Sequence, residues 1–474
     1  MSLSRVLNAK NDAELLSYII NVTPELQADI DLPVQGESLA PIGKLIMSHD
    51  RYKNAFINAV NVIGLTVIDR NYWEDPWETF TERGMLNYGQ TVREIAVDIA
   101  DVFDYNQYCN NATNFLQNVV PNVLEYLHEL NYQKFYKTTT SDDQIAMAFN
   151  TEGGLMRLIE EIVGSLWEGY KYDKYIVNKY MLCRRILDGT ITAVEIDGYA
   201  SLSPRQRVTK MKSISNKMAF RSPNYNPAGL RIATPFADQI TMLDTDSDAE
   251  ISTEVLATSF FRNDAEMKTN LALIDGFGNH DTARLAQVLG DQYIPFTETE
   301  LSALGNIPAM IIDREFFQDY NYAFNTNAEG ADGVRATNFF NPETLRNNHW
   351  LHVWKVMSTS PFKQAVVFTK DVTPAVSAVA VSPSTATINV GQSIKLNAAV
   401  TATGFANKAV IWKITSDPTT GTAKATIDKF TGTVTIPANY VPALSALTVK
   451  ATSVFDDKVY GTASLTVVGQ GTQS

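Results

Sequence analysis

Cysteine is scarce in this chain of 474 residues, which contains only Cys109 and Cys183. Two cysteines exclude a disulfide framework, and their surroundings lack the ligand spacing of a zinc site. Long hydrophobic runs are also missing, so we expect no membrane-spanning helix. The first residues contain no apolar segment of the signal-peptide kind, and we therefore expect the protein to be made and kept in a cytoplasm.

The C-terminal part of the chain, residues 373–474, contains no Glu, Arg, His, Cys or Met and is rich in Thr, Val and Ala. The part before it is acidic and rich in aromatic residues. Such a sharp change in composition predicts two modules, which we call the body (residues 1–372) and the tail module (residues 373–474).

In the body, acidic residues outnumber basic ones. The whole chain has 39 Lys and Arg against 52 Asp and Glu, a net charge of −13. The tail module holds seven Lys and four Asp, so its net charge is +3 and that of the body is −16. Because binding to phosphates needs clustered Lys and Arg, this composition argues against nucleic-acid recognition by the body.

Catalytic and metal-binding motifs are missing as well. Asp244, Asp246 and Asp248 resemble the start of a calcium loop. However, Ala249 occupies the position where the turn needs Gly, and Val255 occupies that of the chelating Glu. The acidic first turn of a helix explains these carboxylates better, so we predict no metal site here.

Three other patterns resemble chemistry only in part. The G-F-G segment at 276–278 lacks the third glycine of a nucleotide fingerprint, and no G-K-[ST] phosphate loop occurs. His280 and Asp281 could form a base with its orienting carboxylate, but without a nucleophile motif helix capping is favoured. His349 and His352 lie three apart in a predicted strand and face opposite sides. We therefore predict no catalytic residue and no cofactor.

Residues 64–105 have the pattern of an extended arm. Near its end, β-branched residues alternate with polar or small ones, which is the period of a half-exposed strand. Two tryptophans flank an Asp-Pro tip, where they mark either an interface or a local hydrophobic staple. We expect the arm to lie on a neighbouring subunit. The side chains expected at this contact are Trp73, Trp77, Ile95, Val97 and Ile99.

The strongest helical pattern lies in residues 153–187. In its first half, apolar residues recur at intervals of three and four, with charged residues opposite them. We expect a break at Gly169, followed by a second helix with an aromatic and aliphatic face. Just upstream, Ser141 and Gln144 have the spacing of a capping box. This region is thus predicted to be a long helical spine.

Strands and helices alternate from Gln239 to Thr369, which suggests an α/β subdomain. Within it we predict a helix at Arg314–Tyr320 and a closing strand at Trp350–Met357. The tail module instead shows eight short predicted strands separated by Gly, Asp-Pro and Asp-Asp turns, the pattern of a β-sandwich. Trp412 alternates with apolar neighbours in one of these strands and is the expected centre of the core.

Together, these segments resemble the major capsid proteins of small tailed phages, particularly the phi 29-like podophages. The resemblance covers about residues 1–370 and none of its motifs is catalytic. The motifs, in order, are W-x-x-P-W-x-x-F, G-Q-T-V-R-E-I-A-V-D-I-A-D-V-F-D-Y, K-F-Y-K-T-T-T-S-D-D-Q, E-V-L-A-T-S-F, D-R-E-F-F-Q and N-P-E-T-L-R-N-N-H-W-L-H-V-W. The tail module resembles a bacterial immunoglobulin-like domain of group 2, through V-S-P-S-T-A-T-I-N-V-G-Q-S-I-K-L, V-I-W-K-I, T-G-T-V-T-I and S-L-T-V.

The resemblance implies an α+β fold of the Hong Kong 97 type, followed by an all-β immunoglobulin-like sandwich. Its parts would be an N-arm, an E-loop at about 64–105, a P domain with a spine helix at about 153–187, and an A domain at about 236–345. Residues 346–370 would return to the P domain, and residues 373–474 would form the immunoglobulin-like domain.

The resemblance also implies a structural protein and not an enzyme. It would self-assemble into hexamers and pentamers of an icosahedral or prolate head. Expected partners are other copies of the chain, a scaffolding protein during assembly, a portal at one vertex, and double-stranded DNA enclosed without sequence-specific binding; no membrane is expected. The protein would be located in the virion after assembly in the bacterial host cytoplasm, with the tail module outside the shell as an addition that closure does not require.

Two alternatives belong to other classes. One is a structural protein of a phage tail or appendage that carries a similar decoration. The other is a bacterial adhesin or glycan-degrading enzyme with an immunoglobulin-like stalk, which is disfavoured by the missing signal sequence and the missing pair of catalytic carboxylates.

Overall fold

The structure is a computed structural model of the chain. The residues it describes are 12–27, 39–49, 51–56, 73–87, 89–100, 102, 123–150, 154, 158, 164–254, 270–322, 334–341, 343–344, 346–421 and 423–469. Cys109, Val255, the first nine residues of the predicted arm and most of 153–163 therefore lie outside the described residues. In the described part, no helix has both the length and the apolarity needed to cross a bilayer.

The body contains helices and strands, and all regular elements described in the tail module are strands. The helices are Asp12–Val22, Pro24–Gln27, Ala40–Ser48, Glu78–Thr81, Asp142–Asn150, Ser165–Leu187, Pro204–Met218, Thr245–Glu254, Thr282–Leu289 and Glu298–Leu304, with residues 51–56 also helical. Short 3-10 helices lie at Tyr199–Ser201, Phe236–Asp238 and Gly290–Gln292.

The strands are numbered along the chain. Those of the body are β1 (Glu82–Leu86), β2 (Val92–Val97), β3 (Val123–His128), β4 (Tyr132–Ser141), β5 (Thr192–Ile196), β6 (Gln239–Asp244), β7 (Leu271–Ile274), β8 (Ala309–Asp313), β9 (Asp319–Tyr322), β10 (Val334–Asn341), β11 (Arg346–Val356) and β12 (Ala365–Lys370). Those of the tail module are β13 (Ala375–Ser382), β14 (Thr385–Asn389), β15 (Ser393–Lys395), β16 (Asn397–Thr403), β17 (Val410–Ser416), β18 (Thr426–Ile427), β19 (Thr433–Thr435), β20 (Leu447–Ser453) and β21 (Tyr460–Val468).

Local sequence sets where several helices begin. The Ser203 hydroxyl accepts the backbone N–H of Gln206, and the Gln206 carboxamide accepts the backbone N–H of Ser203 at 2.9 Å. This capping box satisfies two backbone donors that the helix itself leaves unpaired. Ser141 and Gln144 form the same pair of bonds, at 2.9 and 3.4 Å, so the predicted capping box is confirmed.

The helix Ser165–Leu187, here called the long helix, runs through the body without interruption. The break predicted at Gly169 is therefore wrong. A Cβ atom at Gly169 would lie 3.3 Å from Cδ1 of Tyr136, so the glycine permits a close approach between the helix and β4. Gly169 is therefore explained by tertiary packing against β4, which the sequence around the glycine does not indicate.

Two five-stranded sheets share one hydrophobic core with the long helix. In the first sheet the order is β1-β9-β11-β10, and β4 also pairs with β11. In the second sheet the order is β5-β12-β8-β6-β7, with β8 antiparallel to both of its neighbours and the outer pairs parallel. The body therefore has a mixed α+β architecture.

The five strands predicted between Gln239 and Thr369 are present as β6, β7, β8, β11 and β12, but the helix predicted at Arg314–Tyr320 is wrong. This segment makes a turn and then enters β9, which pairs in parallel with β1. In that pairing Asp319 lies opposite Glu82. The strand β9 is thus stabilised by pairing with residues far away in the sequence, so the local pattern of apolar residues does not predict it.

A buried network of charged side chains joins the long helix to β1, β9 and β11. Lys174 Nζ and Lys355 Nζ lie 2.8 and 2.7 Å from the same oxygen, Oε1 of Glu82. Nearby, Asn178 Nδ2 donates to Asp319 Oδ2 at 2.8 Å. Burial alone would raise the pKa of Glu82, but the two ammonium groups lower it to about 2. Burial raises the pKa of Asp319 to about 6 despite the nearby Lys355.

The tail module has a hydrophobic core of its own. A four-stranded sheet, β14-β21-β20-β17, is accompanied by the smaller sheets β13-β16 and β15-β19-β18. Trp412 on β17 is buried in this core, and a Cβ atom on Gly432 would lie 2.6 Å from its indole ring. The eight predicted strands are present, and the third is divided at Leu396 into β15 and β16.

Candidate assembly surface

Strands β2 and β3 form an antiparallel hairpin that stands apart from the two body sheets. Val92 lies opposite His128 at one end of the hairpin, and Val97 lies opposite Val123 at the other. The prediction of a strand within Thr91–Phe103 is confirmed for β2. Its partner β3 begins well beyond the predicted end of the arm at Tyr105, and the sequence analysis missed it.

One face of this hairpin is open and carries four apolar side chains together with the exposed ion pair Arg93–Glu125. Successive side chains of a strand point to opposite faces, so Ile95 and Val97 share a face with Val123 and Leu127 of the partner strand. Ile95 is 62% exposed, Val97 52% and Val123 51%. Ile99, just beyond the strand, is also exposed. A two-stranded hairpin with such a face is marginal in water and gains stability when another surface covers it.

The other face of the hairpin is held against the body by two of its polar side chains, Glu94 and His128. Ser360 Oγ donates to Glu94 Oε1 at 2.6 Å. The ring nitrogens of the buried His128 lie 2.6 Å from Ser358 Oγ and 3.2 Å from Glu94 Oε2. These contacts fix which side of the hairpin faces its own subunit, and they leave the side of Ile95 and Val97 outward.

The two tryptophans predicted at the arm's contact surface lie in different environments. Trp77 is fully buried, and its Nε1 donates to the carbonyl of Leu273 at 3.0 Å. Its ring packs against Tyr175 and Phe317 in the core of its own body. The prediction that Trp77 contacts a neighbouring subunit is therefore wrong, because the residue has no free surface. Trp73 is 45% exposed and has an edge contact with Tyr175.

His280 and Asp281 do not form a catalytic pair. The Asp281 side chain accepts the backbone N–H of Arg284 at 3.0 Å, so the predicted helix cap is confirmed. His280 is directed instead to the carbonyl of Phe277, 3.0 Å from its Nε2. Burial and the nearby Lys179 lower the pKa of His280 to about 4, which leaves it neutral at physiological pH.

The remaining chemical patterns also have packing roles. A Cβ atom at Gly278 would lie 2.6 Å from the carbonyl of Leu301, so this glycine permits close packing of a helix. His349 bonds to Thr140 and His352 to Thr337, on opposite faces of β11 as predicted. Acidic residues do open the helix Thr245–Glu254, in agreement with the prediction for that segment.

Two further groups could suggest chemistry. The ligand atoms of Glu195, Asp197 and Asp371 lie within 4.8 Å of one another, but two of these residues are exposed and no other observation points to an ion. Cys183 is fully buried in the core, and burial raises the pKa of its thiol to about 12. A thiol in that state is an inert packing group.

Comparisons with known proteins agree with a structural role. A family model described as Phi29-like phage major capsid protein matches residues 18–369, which is most of the body. The major capsid protein of Bacillus phage PZA is 28% identical over 392 residues, covering 82% of this chain and 79% of that protein. That of Bacillus phage B103 is 28% identical over 422 residues, covering 88% and 84%. The second alignment is longer than the body and extends into the tail module.

Solved structures include similar chains from phage capsids. A chain of the capsid structure of Staphylococcus phage Andhra has 15% identity, with coverage of 63% of this chain and 84% of that chain and a TM-score of 0.44. The match to the family model identifies the chain, and it argues against an adhesin, an enzyme and a tail protein. The chain belongs to the Phi29-like phage major capsid protein family, whose members are structural components of the virion that assemble into its shell.

Proposed function

We propose that the hairpin β2–β3 is the extended arm by which one subunit of the shell lies on the next. The observation that supports this proposal is the exposure of the apolar side chains of Ile95, Val97 and Val123, on the face that the bonds of Glu94 and His128 hold outward. These side chains are about half exposed, so covering one of them contributes about 1 kcal/mol. Stable assemblies bury roughly 2,000 Å² or more per interface, so the hairpin would supply one part of a larger contact.

The subunit is proposed to have a Hong Kong 97-type fold. The hairpin would be the paired part of the E-loop, so the loop would extend from the range 64–105 onward to about His128. The long helix would be the spine helix of the P domain, and the sheet containing β6, β7 and β8 would belong to the A domain. The tail module, with its separate all-β core around Trp412, would be an immunoglobulin-like domain of group 2.

The shell is proposed to consist of hexamers and pentamers, closed as an icosahedral or prolate head in the host cytoplasm. A scaffolding protein and a portal would act with the chain during assembly, and double-stranded DNA would be enclosed without sequence-specific binding. The body's net charge of −16 supports the last point, because a wall rich in carboxylates does not hold DNA by phosphate contacts.

The hairpin proposal is tested by placing charge on its open face. Two substitutions, Ile95→Asp and Val97→Asp, should leave the subunit folded, because both side chains point to solvent in the single chain. They should abolish closed shells, because two carboxylates would be buried at the contact, one of them directly opposite Glu125. Electron microscopy of shells from cells expressing the chain with its scaffold measures the outcome.

Val468→Asp provides a matched control, since Val468 is an exposed valine at the end of a strand in the tail module. This variant should form normal shells. Circular dichroism of both proteins checks that the fold persists. Normal shells from the Ile95→Asp, Val97→Asp chain would show that this face is not part of the contact between subunits.

A further inference from the structure

The tail module is docked onto the body through the turn between β16 and β17. The backbone N–H of Lys408 donates to the carbonyl of Gly189 at 2.7 Å, just after the long helix ends. Ala406 and Asn407 are fully buried there, and Phe405 packs against the core of the body. A Cβ atom at Gly189 would lie 2.7 Å from the carbonyl of Ala406, so the two backbones approach as closely as a glycine allows.

A second contact lies on the loop that follows the helix Pro204–Met218. Gly229 of this loop has a φ of +65°, and a Cβ atom there would lie 3.1 Å from Ile411 and 3.5 Å from Val454 of the tail module. Ile411 and Val454 belong to the region around β17 and β20. The module therefore rests on the body at two separate places, which fixes its orientation as well as its position.

The third contact reaches the hairpin. Asp98, the residue directly after β2, lies between a cationic side chain of the body and a cationic side chain of the tail module. Arg231 Nη1 of the body lies 3.0 Å from Asp98 Oδ2, and the backbone N–H of Arg231 donates to Oδ1 at 3.2 Å. Lys429 Nζ of the tail module lies 2.9 Å from the same Oδ2. The Asp98 side chain is only 10% exposed in this arrangement.

Lys429 is held in place by the tail module's own core. Its carbonyl accepts the backbone N–H of Trp412 at 2.8 Å. Burial alone would raise the pKa of Asp98, but bonds from Lys429 and from the backbone keep it below its ordinary value, so the carboxylate stays charged. A charged carboxylate between two cations joins hairpin, body and tail module at one point.

We propose that the tail module is a brace for the hairpin: docked on the body, it uses Lys429 to hold Asp98 and so fixes the far end of β2 and β3. The Glu94–His128 contacts fix the other end. The brace acts within one subunit, so it does not depend on what the open face of the hairpin contacts. The tail module thereby helps to position the hairpin, in addition to any role that it has on the shell surface.

The test is hydrogen exchange of the full-length chain, purified and kept too dilute to assemble. In Lys429→Met, the amides of Ala96, Val97 and Leu124, near Asp98, should exchange about two- to fivefold faster. Amides at the Val92 and His128 end should change less. Asp98→Asn should give at least the same effect, and combining the two substitutions should add little, because they break one shared contact.

Lys413→Met is the control, since Lys413 is an exposed lysine of the same module, on β17. It should leave exchange in the hairpin unchanged. Amides of β20 report whether the tail module itself stays folded in each variant. Hairpin exchange in Lys429→Met equal to that in Lys413→Met overturns the proposal, whether or not β20 keeps its protection.

Discussion

The body and the tail module fill their interiors with different side chains. In the body, Lys174, Lys355 and Asp319 are almost completely buried; both lysines bond to Glu82, and Asp319 accepts a bond from Asn178. In the described part of the tail module, the buried polar side chains are Asn407 and Ser453, neither of which titrates. The body buries charge as well as hydrocarbon, and the described part of the tail module buries almost only hydrocarbon.

This difference indicates what each module should be sensitive to. A buried charge is tolerated only while its partners remain, so removing one partner leaves the others uncompensated. A hydrocarbon core depends on volume, and its stability follows the apolar area removed from water. The body should therefore respond to single charges and to pH, and the tail module to cavities.

The largest expected effect is the loss of the tail module's central side chain. Trp412→Ala should lower the free energy of unfolding of the tail module by about 3–5 kcal/mol, since it leaves a cavity beside Gly432. Calorimetry of the full chain should show one transition at lower temperature and a second, from the body, that moves much less. Tyr460→Ala, at an exposed position, is the control. Equal shifts of both transitions would contradict the separation into two cores.

A smaller effect is expected from a charge in the body. Lys355→Met should destabilise the body by about 3 kcal/mol, because Glu82 and Asp319 lose a buried ammonium group. Lys363→Met removes a partly exposed lysine paired with Glu315 and should cost less than about 1 kcal/mol. Denaturant titration of both variants measures the comparison. A Lys355→Met body as stable as the natural one would show that the buried network contributes nothing.

The smallest effect concerns pH. The folded pKa of Asp319, about 6, lies above its ordinary value of 3.8, so the folded state binds the extra proton between these values. Its ionisation therefore costs stability progressively as pH rises through 6. Between pH 5 and pH 7, the unfolding free energy of the natural chain should fall by about 1 kcal/mol relative to that of Asp319→Asn, which lacks this ionisation.

Other titrating groups cancel in this comparison. His280 and His349, whose pKa values burial lowers to about 4, are present in both chains. Unfolding free energies of the two proteins at pH 5 and pH 7 provide the measurement. A difference between them that stays constant over this range would show that Asp319 keeps an ordinary pKa in the fold.

Sequence patterns were reliable where structure is local. The alternation of Ile95 and Val97 gave the open face of β2, and the spacing of Ser141 and Gln144 gave a helix start. Composition alone separated the two modules near Val372. In each case the cause lies within the segment itself. It is the alternation of side chains along a strand, the cap of a helix, or the composition from which a module builds its core.

Prediction failed where distant residues decide the environment. Trp73 and Trp77 lie four apart around the same Asp-Pro tip, yet only Trp77 enters the core, because Leu273 and Phe317 supply its partners. The same holds for Asp98, whose partners come from the loop at Arg231 and from the tail module. No spacing in the sequence signals these contacts, which exist only once the fold has brought the segments together.

The central claim is that the open face of the hairpin is covered by another copy of the chain in the shell. A cryo-electron microscopy map of the assembled shell, at a resolution that shows side chains, tests it most directly. We expect atoms of a neighbouring subunit within about 4.5 Å of Ile95, Val97 and Val123. Solvent on that face in every subunit of the shell would contradict it.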